Sequence, residues 1–228
     1  MQHRIFVTGG TGYIGCRLIP LLMERGHRVT ALIRRGSETK VPACCETFVG
    51  DALDGNSYGM QLAGHDTLIH LVGVPHPSPA KAREFVAIDL RSAHEAIRVA
   101  ALAGIRHFIY VSVAQPAPVM KSYLNVRAEC EAWLNASGLH ATILRPWYVL
   151  GSGHRWPLLL KPFYQAAELV PSLREGALRL GLVTINQMVQ ALAAAVEEPA
   201  AGVRILGVPE IRSSDHRVQS ARAAPQGY

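Results

Sequence analysis

The stretch T-G-G-T-G-Y-I-G-C, Thr8 to Cys16, follows directly on the apolar run Ile5-Phe6-Val7. Ordering so many glycines costs backbone entropy, so the chain must need bare backbone there. Gly9, Gly12 and Gly15 form G-x-x-G-x-x-G, and Gly10, Gly12 and Gly15 also satisfy G-x-G-x-x-G, with Thr11, Tyr13 and Ile14 filling the places between. Between a first strand and a helix, this spacing serves a diphosphate. One glycine turns the chain, one lets backbone approach the phosphates, and one lets helix and strand pack closely. A glycine-rich turn without a ligand is the other reading.

Charge points further. A residue that binds the adenosine ribose of NAD is normally acidic and lies about 20 positions beyond the glycines. Here the second strand ends in Ile33-Arg34-Arg35-Gly36-Ser37, with no carboxylate. A carboxylate would repel a ribose 2′-phosphate, whereas arginine pairs with it. Arg34 and Arg35 therefore favour NADP, with NAD still possible; two solvated surface arginines are the alternative.

The elements that must position these residues alternate along the chain. Apolar runs predict strands at Arg4–Thr8, Arg28–Ile33, Glu46–Val49, Thr67–Val72, His107–Ser112 and Ala141–Leu144. Helices are expected near Gly12–Arg25, Asn56–Leu62, Ala80–Ala103 and Ser122–Ser137. Ile14, Leu18, Leu21 and Leu22 share a stripe on the first helix, which Pro20 should bend and Gly26 should end. Runs such as F-I-Y-V-S-V lack polar alternation, so they suit a parallel sheet covered on both faces. The fold class is α/β, a doubly wound sheet of Rossmann type with helices on both faces and a small C-terminal substrate-side segment.

Residues 1–150 make the dinucleotide core in this reading, and 151–211 complete the sheet on the substrate side. An irregular helical insertion over 152–176 precedes a strand at Ala177–Thr184, a helix at Asn186–Glu198 and a strand at Val203–Gly207. A flexible tail is expected over 212–228, where polar residues mix with Ala, Gln and Arg.

Composition excludes other classes. Of 228 residues 49% are hydrophobic and 18% charged, enough apolar material for a large core and against disorder. The net charge of +6 is scattered, with no basic run longer than Arg34-Arg35, so nucleic acid is not an expected partner. The expected partners are a nucleotide or small-molecule substrate, and oligomeric state is not indicated. Cys16, Cys44, Cys45 and Cys130 have neither disulfide-framework nor zinc spacing, which suits a reducing compartment. The first strand starts too early to leave room for a signal peptide, and no apolar stretch reaches membrane-spanning length. Cytoplasm is the expected location.

Six motifs in order, T-G-G-T-G-Y-I-G, G-H-R-V-T-A-L-I-R, G-D-A-L-D, H-L-V-G, F-I-Y-V-S-V and T-I-L-R-P, carry a resemblance over about residues 3–211. They resemble the atypical and extended short-chain dehydrogenase/reductases, the NAD(P)-binding, epimerase/dehydratase-like proteins. The resemblance implies that Asp51 and Ala52 meet the adenine, that Leu71, Val72 and Gly73 line the adenosine side, and that Pro146 lies near the nicotinamide. Asp51 can instead be a turn-former.

Members of that family typically use Tyr-x-x-x-Lys with an upstream Ser or Thr. The tyrosine gives a proton to the carbonyl oxygen as hydride arrives, and the lysine holds the nicotinamide ribose. The resemblance puts Tyr123 and Arg127 at this pair, four apart on one helix face. Ser112 is the candidate hydroxyl, although the usual position lies just beyond, at Val113 and Ala114. Arginine keeps the charge but is bulkier and does not deprotonate.

Two classes follow. One is an NADP-dependent reductase, dehydrogenase or epimerase acting on a small carbonyl or hydroxyl compound, which Tyr123 favours. The other is a non-catalytic NADP(H)-binding redox sensor or assembly protein, which Arg127 favours; Tyr123 would then be a packing residue. His154, with Trp147, Tyr148 and Trp156, lines a substrate pocket or packs a loop. His65, His70, His76 and His94 lack metal-ligand spacing, and His70 at a strand end reads as packed.

Overall fold

The computed structural model describes residues 1–151 and 171–214. The first six strands are β1 (Arg4–Thr8), β2 (Arg28–Ile33), β3 (Glu46–Val49), β4 (Thr67–His70), β5 (His107–Val111) and β6 (Ala141–Leu144). Short strands β7 (Tyr148–Leu150) and β8 (Leu182–Thr184) pair with each other, and β9 (Val203–Leu206) returns to the main sheet. That sheet has seven strands in the order β3-β2-β1-β4-β5-β6-β9, every neighbour parallel.

Parallel neighbours require crossovers, and helices supply them on both faces. These are α1 (Gly15–Glu24), α2 (Arg91–Leu102), α3 (Lys121–Ala136), α4 (Pro171–Arg179) and α5 (Ile185–Glu197). A short helix, Ala82–Glu84, and a π-helical stretch, Phe85–Leu90, lead without a break into α2.

Strand side chains alternate between the two layers, as the pleat dictates. Ile5, Val7, Ile69 and Ile109 face Leu18, Ile19 and Leu22 of α1 and Met188, Leu192 and Val196 of α5. Phe6, Leu68, Phe108 and Ile143 face Ala96 and Ala100 of α2 and Cys130 and Leu134 of α3. Each fully buried Leu, Ile or Phe contributes about 1.5–3 kcal/mol. Both layers are therefore substantial, and they cover both faces of the central strands, while the edge strands β3 and β9 keep exposed side chains.

Helix ends follow local chemistry. Gly26, at φ +82°, ends α1, where the His27 N–H reaches the Leu22 carbonyl at 3.0 Å. Thr184 and Gln187 cap α5 reciprocally, the Thr184 hydroxyl accepting the Gln187 N–H and the Gln187 side chain accepting the Thr184 N–H.

The structure departs from the sequence reading in three places. The helix expected over Asn56–Leu62 is two 3-10 turns, Gly55–Ser57 and Gly59–Leu62. Close packing explains this, since a Cβ on Gly55 would come within 2.6 Å of Glu95 and Val99 on α2. The strand expected over Ala177–Thr184 is the end of helix α4 followed by three strand residues, which pair with the unforeseen β7. Finally, β4 stops at His70 and β5 at Val111, so Leu71–Val74 and Ser112 belong to loops at the strand ends. Residues 208–214 are helical, and the rest of the expected tail lies outside the described residues.

Strand order reverses between β1 and β4. The crevice beyond their carboxyl ends is where open α/β sheets bind ligands.

Candidate functional site

The glycine loop sits at that crevice, and its glycines have separate jobs. Gly9 is in the left-handed region at φ +74°, and a Cβ there would lie 2.7 Å from the Leu71 carbonyl carbon. The loops after β1 and β4 thus pack backbone to backbone. A Cβ on Gly15 would stand 2.5 Å from the Gly10 carbonyl oxygen, so the start of α1 lies directly on the loop. A Cβ on Gly12 would have a single neighbour, the Gly9 carbonyl oxygen at 3.2 Å, and otherwise open space.

Helix α1 starts with no side-chain cap and no acidic residue in its first turn. Ordinary helices use Ser, Thr, Asp or Asn to satisfy their first N–H groups. Here the Cys16 N–H turns back to the Gly12 carbonyl at 3.0 Å, and with no side chain over it the positive end of the helix faces the space beside exposed Gly12, the arrangement that accepts phosphate oxygens. The cradle fits a dinucleotide diphosphate. Thr11, Tyr13 and Ile14 are half-buried, and Ile14 packs against the core. Tyr13 lies under the Arg17 guanidinium, 4.4 Å from its ring centroid, and its hydroxyl rests against Gly151 just after β7.

Arg34 and Arg35 are exposed at the end of β2, and no ion pair among the described residues involves either. The nearby Glu38 is spent on its own turn, where it accepts the Gly36 N–H at 3.1 Å. Backbone hydrogen bonds to Glu38 hold its carboxyl below the usual range, with help from the charge of Arg35. Asp51 is exposed at the end of β3 and its carboxylate accepts the Leu53 N–H at 2.9 Å, a turn-forming contact. Ala52 packs against the core beside it.

Leu71, Val72 and Gly73 are half-buried along the crevice after β4. Pro146 is buried after β6, its carbonyl accepting the Ala114 N–H at 2.9 Å. Trp147 and Tyr148 meet edge to face with centroids 5.7 Å apart. His154 and Trp156 lie outside the described residues.

Tyr123 and Arg127 do share a face of α3. The Arg127 guanidinium carbon is 5.1 Å from the Tyr123 ring centroid, and the Phe85 ring is 4.9 Å away. Tyr123 is half-buried, and its hydroxyl has no hydrogen-bond partner among the described residues. Arg127, by contrast, is only 6% exposed and heavily committed. Its Nη1 donates to Tyr110 Oη and to the Val111 carbonyl, both at 3.0 Å, and its Nη2 donates to Asp89 Oδ1 at 2.5 Å. Burial pushes the Asp89 carboxyl up, against the opposing pull of Arg127 and the Val74 N–H.

Ser112 is likewise engaged. Its hydroxyl donates to Glu131, which also accepts from Gln115 and from both Nε and Nη2 of Arg145. His70 is packed, its ring between Thr8 Oγ1 at 2.8 Å and Ser92 Oγ at 3.3 Å. Burial, aided by the charge of Arg127, drives its pKa down to about 3, so it is neutral at pH 7. Among the described residues, no group of three or more His, Cys, Asp or Glu side chains could hold a metal ion.

Asp89 escaped the sequence reading. Its signal was present, a lone carboxylate inside Phe85-Val-Ala-Ile-Asp-Leu90, since a charge in so apolar a segment needs a buried cation.

The fold and the glycine cradle define a class, the Rossmann-type proteins that bind a nicotinamide dinucleotide. The chain belongs to the NAD(P)H-binding family, which its sequence matches over residues 9–153. It is 30% identical over 153 residues to an uncharacterized sugar epimerase, YhfK, of Bacillus subtilis, covering 63% of this chain and 71% of that one. It is 28% identical over 115 residues to a 3-beta-hydroxysteroid dehydrogenase of Mycolicibacterium neoaurum, 48% of this chain but only 31% of that relative's length. Among solved structures, the Bordetella bronchiseptica enzyme WbmH in complex with NAD+ superimposes with a TM-score of 0.67 at 18% identity. That match covers 100% of this chain and 84% of that one, and it shows a shared fold. The relatives include dehydrogenases, reductases and a sugar epimerase, and the chain spans about a third of the length of the hydroxysteroid dehydrogenases among them. No helix among the described residues is long and apolar enough to cross a membrane.

Proposed function

We propose that the chain is an NADP-dependent reductase, dehydrogenase or epimerase acting on a small carbonyl or hydroxyl compound. The observation that carries this reading is the hydroxyl of Tyr123, which has no hydrogen-bond partner among the described residues, on a helix flanking the crevice that the glycine loop opens. When bound, a nicotinamide dinucleotide supplies hydride transfer to or from carbon. The residues of this chain would do the rest. The backbone around Gly9–Gly15 and the uncapped start of α1 hold the diphosphate. Arg34 and Arg35 pair with the 2′-phosphate, which supports NADP over NAD.

Asp51 and Ala52 would border the adenine, Leu71 to Gly73 the adenosine side and Pro146 the nicotinamide. Tyr123 gives its hydroxyl proton to the substrate oxygen and takes it back in the reverse direction. Arg127 lends positive charge beneath the Tyr123 ring but is not free to turn toward a ribose. Ser112 orients through Glu131. The four free cysteines support a reducing compartment such as the cytoplasm.

The test is a titration with NADPH followed by a panel of small carbonyl and hydroxyl substrates, with Tyr123→Phe alongside. Tyr123→Phe should bind NADPH within about twofold of the unaltered chain and lose on the order of 100-fold in turnover. Full turnover in Tyr123→Phe overturns the assignment. Binding without turnover on any substrate is the behaviour of a nucleotide sensor, the reading that the commitment of Arg127 to Asp89 favours.

A further inference from the structure

We propose that Asp89 and Arg127 form a clamp that sets the position of the Leu71–Val74 loop and thereby the affinity of this chain for its dinucleotide; the inference rests on the cofactor reading above. The loop is gripped from two sides. On one side it lies against Gly9, where an added Cβ would reach the Leu71 carbonyl carbon at 2.7 Å and the Val72 nitrogen at 2.9 Å. On the other side the Val74 N–H donates to Asp89 Oδ2 at 2.9 Å. A Cβ on Gly73 would meet Arg127 Nη2 at 2.6 Å and Asp89 Oδ1 at 3.1 Å. The backbone at Gly73 therefore rests directly on the ion pair.

The pair itself cannot drift. Arg127 is tied to β5 through the Val111 carbonyl and the Tyr110 hydroxyl. Asp89 is fully buried in the π-helical stretch before α2, a local geometry frequent at functional sites. Position is thus passed from the sheet, through Arg127 and Asp89, to the Val74 N–H. Burying an ion pair is a poor way to gain stability, because desolvation offsets most of the attraction, and apolar residues would fill the space as well. A pair retained at that disadvantage under the crevice loop acts on the loop. Asp89 and Arg127 are positioning residues, one step removed from the dinucleotide.

The experiment is NADPH titration by fluorescence on the full chain, with denaturation midpoints measured in parallel. Asp89→Asn keeps the shape and an acceptor for Val74 but removes the charge that Arg127 needs. It should weaken NADPH about tenfold. A folded Asp89→Asn protein that binds within twofold of the unaltered chain overturns the clamp, even where its denaturation midpoint falls, because that is the pattern of a purely structural pair.

Should Asp89→Asn fail to fold, Gly73→Ala decides. Its methyl group would lie 2.6 Å from Arg127 Nη2 and 3.1 Å from Asp89 Oδ1, so loop and pair must move apart, and it should also weaken NADPH about tenfold. Arg127→Lys alone, whose single amine cannot hold Tyr110, Val111 and Asp89 together, should weaken NADPH as well. Unchanged binding in a folded Gly73→Ala or Arg127→Lys protein overturns the proposal. An unaltered chain that binds no dinucleotide fails at the cofactor reading beneath it, which the same titration reveals before any variant is made.

Discussion

Ser112 Oγ lies 2.5 Å from Glu131 Oε1, nineteen residues further along the chain, in a cluster that Gln115 and Arg145 complete. Ser112 and Glu131 are both nearly inaccessible, at 3% and 4% exposure. A hydroxyl held by a buried carboxylate orients that carboxylate and, through it, the carboxyl ends of β5 and β6. Ser112→Ala should therefore cost about 1–3 kcal/mol of stability while leaving turnover within a few-fold. Steady-state kinetics beside thermal denaturation separate the roles. A loss of 100-fold in turnover without loss of stability would make Ser112 a participant in the chemistry.

Gly12 offers the cleanest test of the cradle. Its missing side chain faces open space apart from the Gly9 carbonyl oxygen, so Gly12→Val should fold nearly as well as the unaltered chain. Its side chain would occupy diphosphate space, and dinucleotide binding should fall below detection. Retained NADPH binding by calorimetry would place the diphosphate elsewhere.

Cofactor choice rests on Arg34 and Arg35. Each charge-assisted pair is worth about 1.5–3 kcal/mol, so Arg34→Glu with Arg35→Ser should weaken NADPH at least tenfold more than NADH. Equal losses for the two nucleotides would mean that these exposed arginines do not read the 2′-phosphate.

Two buried histidines predict acid sensitivity. Burial holds His70 down at about 3, with a contribution from Arg127, and His107 at about 4, with contributions from Arg204 and two neighbouring histidines. An unfolded chain titrates both near 6.5. The folded values are depressed, so the unfolded state binds the extra protons in the interval. The stability these neutral rings contribute is complete above about pH 6.5 and is lost as pH falls toward 4 and then 3. His70→Gln should flatten the dependence of unfolding free energy on pH between about 4 and 6.5 by close to one proton, or ~1.4 kcal/mol per pH unit. An unchanged slope in denaturant titrations across that window would mean that His70 is not neutral in the fold.

The sequence by itself determined the frame of this protein. The bounds of β1, β2, β3 and β6 are legible in short runs rich in β-branched and aromatic residues, most plainly in β1 and β6, whose inner residues are buried on both faces, and least in the exposed edge strand β3. The glycine spacing, the helix it opens and the arginines at the end of β2 are local too, and local geometry follows from local residue types. Tertiary structure decided everything that depends on a distant partner. The Gly55–Leu62 segment gave up its helix because α2 presses against Gly55. The Ala177–Thr184 segment kept only three strand residues because β7, three residues long, is all it has to pair with. Arg127 looked like the partner of Tyr123 four residues away, yet its charge answers Asp89, thirty-eight residues distant. Spacing along a helix shows which side chains can meet. A buried guanidinium, however, goes to the carboxylate that compensates its desolvation, and only the packing of α3 on β5 and the π-helical stretch brings that carboxylate within reach.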